Sequence, residues 1–167
     1  MSESVTAKDP EQVTAETLDP RELEALEVLT EICRVSGLQI QAEPRSRHSP
    51  YLDVELVGED VADSYGKNGQ TLDSLQYLAN LVVGRRVGPD VRFILDACGY
   101  RARRHETLVS LAQEFAAQVK ERQEECELDP LPAHERRIIH NALSGDDGIR
   151  TYSEGDDPDR RVIIAPR

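Results

Sequence analysis

The chain reads as an α+β protein of two small domains, and three features of its 167 residues predict this. Helical apolar periodicity alternates with short runs of strand-like alternation, the pattern changes character at Gly99-Tyr100, and each half is just long enough for its own modest core. With only 4% aromatic residues and no Trp, those cores must be built from Leu, Ile, Val and Ala.

In the first half, Asp19 is a candidate N-cap, with Pro20 at the first helical position, Glu22 three residues after the cap and Gly37 as the stop. The helix from Pro20 to Ser36 is expected to bury Leu23, Leu26, Ile32 and Val35, with Ala25 and Leu29 nearby. Strands follow over Leu38 to Glu43 and Tyr51 to Val57, the second placing Leu52, Val54 and Leu56 on one face. Between them, residues 44–50 combine two prolines, two serines and two arginines and read as a basic hairpin loop. A short turn leads to Gly66-Lys67-Asn68-Gly69, after which Leu72, Leu75, Leu78, Ala79 and Val82 recur at helical spacing until Gly84. Val91 to Ala97 has the alternation of a short buried strand. In the second half a long helix runs from Arg101 towards Glu125, a helical segment carries Ile138 and Ile139 as core residues, and strands are expected at Ile149 to Ser153 and Arg161 to Ile164.

Gly66 to Gly69 is the most informative segment. Two glycines let the chain turn sharply and approach another backbone without a Cβ in the way, and the N–H groups opening the next helix point at whatever occupies the turn. Lys67 adds a positive charge between them. A second motif, Arg-x-x-x-His, occurs twice, as Arg101 to His105 and Arg136 to His140. Four residues apart on a helix, both side chains share a face, where an arginine can grip a phosphate and an imidazole can hydrogen-bond or stack on a base.

The element order, with the run Gly66 to Leu78, resembles a type II KH domain, and the run Leu128 to His140 resembles the Arg-x-x-x-His motif of an R-3-H domain. Together, in this order, they resemble the Jag, or SpoIIIJ-associated, family of bacterial RNA-binding proteins. The resemblance covers roughly residues 19–167. It implies an RNA-binding KH-like domain over 19–98 and a small α/β single-strand-binding R-3-H domain over 99–167, while residues 1–18 have the acidic, polar composition of a disordered tail. It further implies a non-catalytic protein that binds single-stranded RNA, or single-stranded DNA, with contacts at Tyr65, Gly66, Lys67, Asn68, Gly69, Gln70, Arg136, Arg137 and His140. The regulation or chaperoning of RNAs linked to growth and the cell envelope, a cytoplasmic location and a small KH-domain protein partner are implied as well. The chain departs from the family in lacking, at residues 1–18, the extra N-terminal domain of many relatives. It also departs at Asp63-Ser64-Tyr65, where aliphatic residues are usual and where Tyr65 can stack on a base.

The total charge opposes this reading, since the net value is −12. Its distribution does not: residues 1–65 carry −10, whereas residues 66–105, which include the loop, carry +4. Screening confines each charge to about 8 Å at physiological salt, so a local basic surface still attracts phosphate. The alternative reading is a protein-interaction adaptor, using the tail and the long helix from Arg101. Catalysis is not expected. His134 and His140 are six apart rather than the four of a helical metal-binding pair, no nucleophile motif is present, and Gly66-Lys67 lacks the remainder of a P-loop. No cofactor or metal is expected; the acid-rich turns at 145–148 and 156–159 do not have the spacing of an EF-hand. Three widely spaced cysteines without a Cys-x-x-Cys argue for a reducing compartment, and no segment is expected to insert in a membrane.

Overall fold

A computed structural model describes residues 11–167, which divide into two compact units, one ending at Arg101 and the other beginning at Ala102. The division falls inside a long helix, close to the Gly99-Tyr100 joint read from the sequence.

The first unit is a mixed four-stranded sheet covered by helices. Its elements are β1 (Glu11–Gln12), α1 (Pro20–Val35), β2 (Ile40–His48), β3 (Tyr51–Gly58), α2 (Val61–Tyr65), α3 (Gln70–Arg86) and β4 (Arg92–Ala97). The sheet order is β1-β2-β3-β4, antiparallel except for the parallel pair β3 and β4, in which Tyr51 lies opposite Arg92 and Leu56 opposite Ala97. Alternate residues Leu52, Val54 and Leu56 of β3 and Phe93, Leu95 and Ala97 of β4 are buried and form the sheet side of the core. The helix side comes from α1 and α3. Asp19 caps α1 by accepting from the N–H groups of Arg21 and Glu22, while the Glu22 carboxylate accepts from Asp19 N at 2.9 Å. This reciprocal cap contributes about 1 kcal/mol.

Four details differ from expectation. The buried stripe of α1 is Ala25, Val28, Leu29 and Cys33, while Leu23 and Val35 are exposed. Residues 44–48 are not a loop but the continuation of β2, with a bulge between Pro44 and Ser46 that absorbs the proline. The arginines there serve the fold: Arg47 lies 2.6 Å from the nearly buried Glu22, and Arg45 is 3.0 Å from Glu43. Helix α3 continues through Gly84 to Arg86, and its core residues are Leu72, Ala79 and Val83, with Leu78 half exposed. Finally, the expected tail is structured from Glu11 onward: β1 adds an edge strand to β2, and Val13 and Leu18 are buried. The rest of that tail, residues 1–10, lies outside the described residues.

The second unit packs α4 (Tyr100–Arg122, from Ala102 on) and α5 (Ala133–Leu143) against a three-stranded sheet of β5 (Cys126–Glu127), β7 (Arg161–Pro166) and β6 (Ile149–Glu154), in that order and antiparallel throughout. Leu108, Ala112, Ala116 and Val119 of α4 meet Ile139 and Leu143 of α5 and Ile149, Val162 and Ile164 of the sheet. Ile139 is fully buried and Ile138 packs at the edge of this core.

Candidate nucleic-acid interface

The segment between α2 and α3 is a tight reversal built on three uses of positive φ. Gly66 stops α2 at φ 63°, Asn68 follows at φ 53° and Gly69 at φ 78°, so that Lys67 to Gly69 form one 3-10 turn before α3 begins. Both glycines are required by their own neighbours. A Cβ on Gly66 would stand 2.1 Å from Thr71 Oγ1, and one on Gly69 would stand 2.8 Å from the Tyr100 ring. The turn leaves Lys67, Asn68 and Gln70 exposed and buries Gly69. Because Gly69 has no side chain to act as a cap, the positive end of the 17-residue helix α3 receives no side-chain cap hydrogen bond, and the acid of its first turn, Asp73, lies 3.1 Å from Arg101.

Tyr65 is only half exposed. Its ring stacks on Tyr100 at 4.8 Å and an interplanar angle of 10°, so one of its faces is already used, and Tyr100 in turn covers Gly69. Sequence reading placed Tyr65 as an open base-stacking residue. It missed Tyr100 because the pair is formed between distant parts of the chain.

The outer edge of β4, beside α3, is closed by side chains. Asn80 donates to Phe93 O at 3.0 Å and accepts from Phe93 N at 2.7 Å; Gln76 accepts from Leu95 N at 2.9 Å; Arg101 donates through Nε to Leu95 O at 2.8 Å. Arg101 also reaches Gln76 and lies 3.1 Å from Asp73. The first Arg-x-x-x-His copy therefore puts its arginine into a structural clamp. The available signal was Gln76 and Asn80, two amides four residues apart interrupting an apolar helix pattern. Lys67, Arg85, Arg86 and Arg92 are exposed and have no carboxylate partner among the described residues.

In the second unit, α5 carries Arg136 and His140 towards β6. His140 Nδ1 lies 2.8 Å from Thr151 Oγ1 and Nε2 lies 2.9 Å from Ser153 Oγ. Burial, and then the charge of Arg136, lower the imidazole pKa below its ordinary 6.5, so at neutral pH one ring nitrogen donates and the other accepts. Arg136 is only 8% exposed: its Nε donates to Leu131 O at 3.0 Å and its Nη2 to the exposed Asp157 at 3.2 Å. Arg137 is exposed, with no carboxylate partner among the described residues. Glu135, buried at 2% exposure, takes both arms of Arg104 at 2.7 and 2.9 Å. Among the described residues no three His, Cys, Asp or Glu side chains gather as a metal-ligand set, and no helix is long and apolar enough to cross a membrane.

Residues 106–166 match the R-3-H domain family. Over 150 residues, 90% of its length, the chain is 41% identical to a Clostridium symbiosum protein named RNA-binding protein KhpB, covering 67% of that protein. A Bacillus subtilis protein of the same name is 40% identical over 112 residues, 66% of this chain and 54% of that one. One from Streptococcus pneumoniae is 35% identical over 113 residues, 68% of this chain but 34% of the relative. The chain thus spans two thirds of the first of these relatives and about half or less of the other two. Similarity of this extent, together with the R-3-H match, shows that the chain belongs to the family of the KhpB proteins, the Jag family.

Proposed function

We propose that this chain binds single-stranded RNA without chemical turnover, with the first unit, as a KH-type module, providing the main site. The observation that carries the proposal is the reversal at Gly66 to Gly69, which presents Lys67, Asn68 and Gln70 at the uncapped positive end of α3. Phosphates of a strand lying there meet helix N–H groups, the amides of Asn68 and Gln70 and the Lys67 ammonium, while about four nucleotides follow the loop. The names of its relatives and the R-3-H domain support RNA as the ligand.

The second unit supplies a weaker contact. Arg137 offers an exposed cation, and the Nη2 of Arg136, now held by the exposed Asp157, can exchange that carboxylate for a phosphate. His140 presents its ring between two hydroxyls at the same helix face. In this reading the protein acts in the cytoplasm on RNAs that govern growth and envelope processes, as a regulator or chaperone, beside a small KH-domain partner. A second reading, a protein-interaction adaptor, is favoured by the outer face of α1, where Leu23 and Leu26 line a shallow groove rimmed by Glu27 and Glu31.

A salt series tests the proposal. A grip on two to four phosphates of a single strand gives a log–log slope of affinity against salt of roughly −1.5 to −3, at about 0.7 per phosphate. The expected result is such a slope for an unstructured RNA oligonucleotide, with weaker binding to a duplex of equal length. A slope near zero, or tighter duplex binding, would overturn the single-strand assignment.

A further inference from the structure

Helix α5 turns Arg136 towards the loop between β6 and β7, which is an adverse neighbour for a nucleic-acid contact. Residues 154–159 carry four acids and no base: Glu154, Asp156, Asp157 and Asp159. One of them, Asp157, lies 3.2 Å from Nη2 of Arg136 and has no other side-chain partner among the described residues. The pair is lopsided, since the arginine side chain is 10% exposed and the carboxylate 70%. A carboxylate so exposed adds little to stability, because water competes for it. Nor is it needed to place the guanidinium, whose Nε already donates to Leu131 O at 3.0 Å. The loop closes its own turn through the backbone, with Asp159 N donating to Asp156 O at 2.9 Å. The Asp157 side chain can therefore swing out while the turn and the arginine both stay in place.

We propose that Asp157 is a built-in substitute for a phosphate of the strand: it occupies Arg136 until a single strand held elsewhere on the protein displaces it, and so sets which ligands the second unit accepts. The proposal rests on the reading of the second unit as a weaker RNA contact. A carboxylate and a phosphodiester offer an arginine the same thing, one negative charge shared between two oxygens. Where the Asp157 oxygen reaches Nη2 from solvent, a phosphate oxygen can follow.

The consequence is selectivity by strand length. A lone anion or a short strand exchanges one carboxylate for one phosphate and gains almost nothing, and it has to enter beside the acids of the loop. A strand already bound at the first unit brings its phosphate at a high effective concentration and completes the exchange. Arg137, exposed and without a carboxylate partner among the described residues, is not masked in this way. It draws the strand in, and Arg136 then fixes it. Non-specific anion binding is suppressed, as it is by the net charge of −12 over the whole chain.

The test titrates the full chain with an unstructured RNA long enough to reach both units, and with one of about four nucleotides that fills the first unit alone. Asp157→Asn keeps the shape of the side chain and removes its charge. It is expected to tighten binding of the long RNA roughly twofold to fivefold, the weight of an exposed ion pair, and to leave the short RNA within about 1.5-fold. Because Arg136 then meets its phosphate uncompensated, the log–log salt slope for the long RNA should steepen by about 0.7, the share of one phosphate. Asp156→Asn removes an equal charge from the same loop, at a side chain with no partner among the described residues, and should change affinity less than about 1.5-fold. The Asp157 side chain is exposed, so its variant folds, as circular dichroism on the same samples checks. Equal tightening by both variants, or of both RNAs, would overturn the proposal in favour of diffuse repulsion. Unchanged affinity and slope in Asp157→Asn would overturn it too, leaving the ion pair a surface contact. Arg137→Ala separates that failure from failure of the second-unit reading: weaker binding of the long RNA there, with no response in Asp157→Asn, refutes the role of Asp157 alone, and no response in either refutes both.

Discussion

Replacing Gly69 by alanine separates two reasons for a glycine in this loop. The new Cβ has to accept φ 78°, a left-handed conformation that costs an L-residue roughly 1–2 kcal/mol. It also has to fit 2.8 Å from Cε1 of Tyr100, whose ring cannot swing away freely because it is stacked on Tyr65 at 4.8 Å. Overpacking of this kind costs a further ~1–3 kcal/mol. Since 1 kcal/mol shifts the melting temperature of a unit this size by roughly 4–8 °C, a loss of about 2 kcal/mol or more means that Gly69→Ala should lower the melting of the first unit by about 8 °C or more. Calorimetry on Gly69→Ala, Tyr100→Ala and the double variant apportions the loss. Removing the Tyr100 ring should leave only the backbone cost, giving a coupling of about 1–3 kcal/mol between the two positions. A Gly69→Ala protein that melts within about 2 °C of the parent, or costs that simply add, would refute the packing argument. A stable variant with weakened RNA binding would instead assign the glycine to ligand approach alone.

Two further predictions concern the second unit. Removing Arg104 strands a Glu135 side chain that is 3% exposed, whereas removing Glu135 leaves an Arg104 side chain, 20% exposed, able to find water. Arg104→Ala should therefore cost about 3 kcal/mol or more and Glu135→Ala distinctly less, as urea titrations of both variants will show; the reverse order would contradict the burial argument. His140 has its pKa lowered by burial and by Arg136, so between that lowered value and about 6.5 the unfolded chain binds the extra proton and the folded one does not. Its contribution is complete above about pH 6.5 and falls away as the pH drops below it, so His140→Gln should flatten the acid limb of stability against pH. An unchanged limb would mean that His140 takes its proton without cost.

Much of this fold was legible because local chemistry and tertiary packing agree. Asp19-Pro20 with Glu22 reads as a cap and is one, and Leu52, Val54 and Leu56 alternate into the core as written. The misreadings occur where tertiary partners override local signals. Pro44, Arg45 and Arg47 look like a loop, but the bulge tolerates the proline and Glu22 and Glu43 neutralise the arginines. Gly84 looks like a helix stop, yet α3 continues through it, at a cost of about 1 kcal/mol relative to Ala. Strand β1 has only two residues and no alternation to detect. At the candidate site, the exposed Lys67, Asn68 and Gln70 were legible as a unit. The stacking of Tyr65 on Tyr100 and the tie of Arg101 to Gln76 were not, since both join residues 25 or more positions apart.

The central claim is that the single strand is held at the turn between α2 and α3, and charge reversal there tests it most directly. Lys67 and Asn68 are exposed and Lys67 has no carboxylate partner among the described residues, so Lys67→Asp with Asn68→Asp changes the local charge by three while keeping both glycines. Asn68 sits at φ 53°, a conformation that Asp also adopts, so the fold is expected to survive. Titration of an unstructured RNA oligonucleotide at fixed salt, with circular dichroism on the same samples, should show at least roughly tenfold weaker binding by a folded protein, the equivalent of losing about one phosphate grip. Undiminished affinity in the folded double variant would contradict the account.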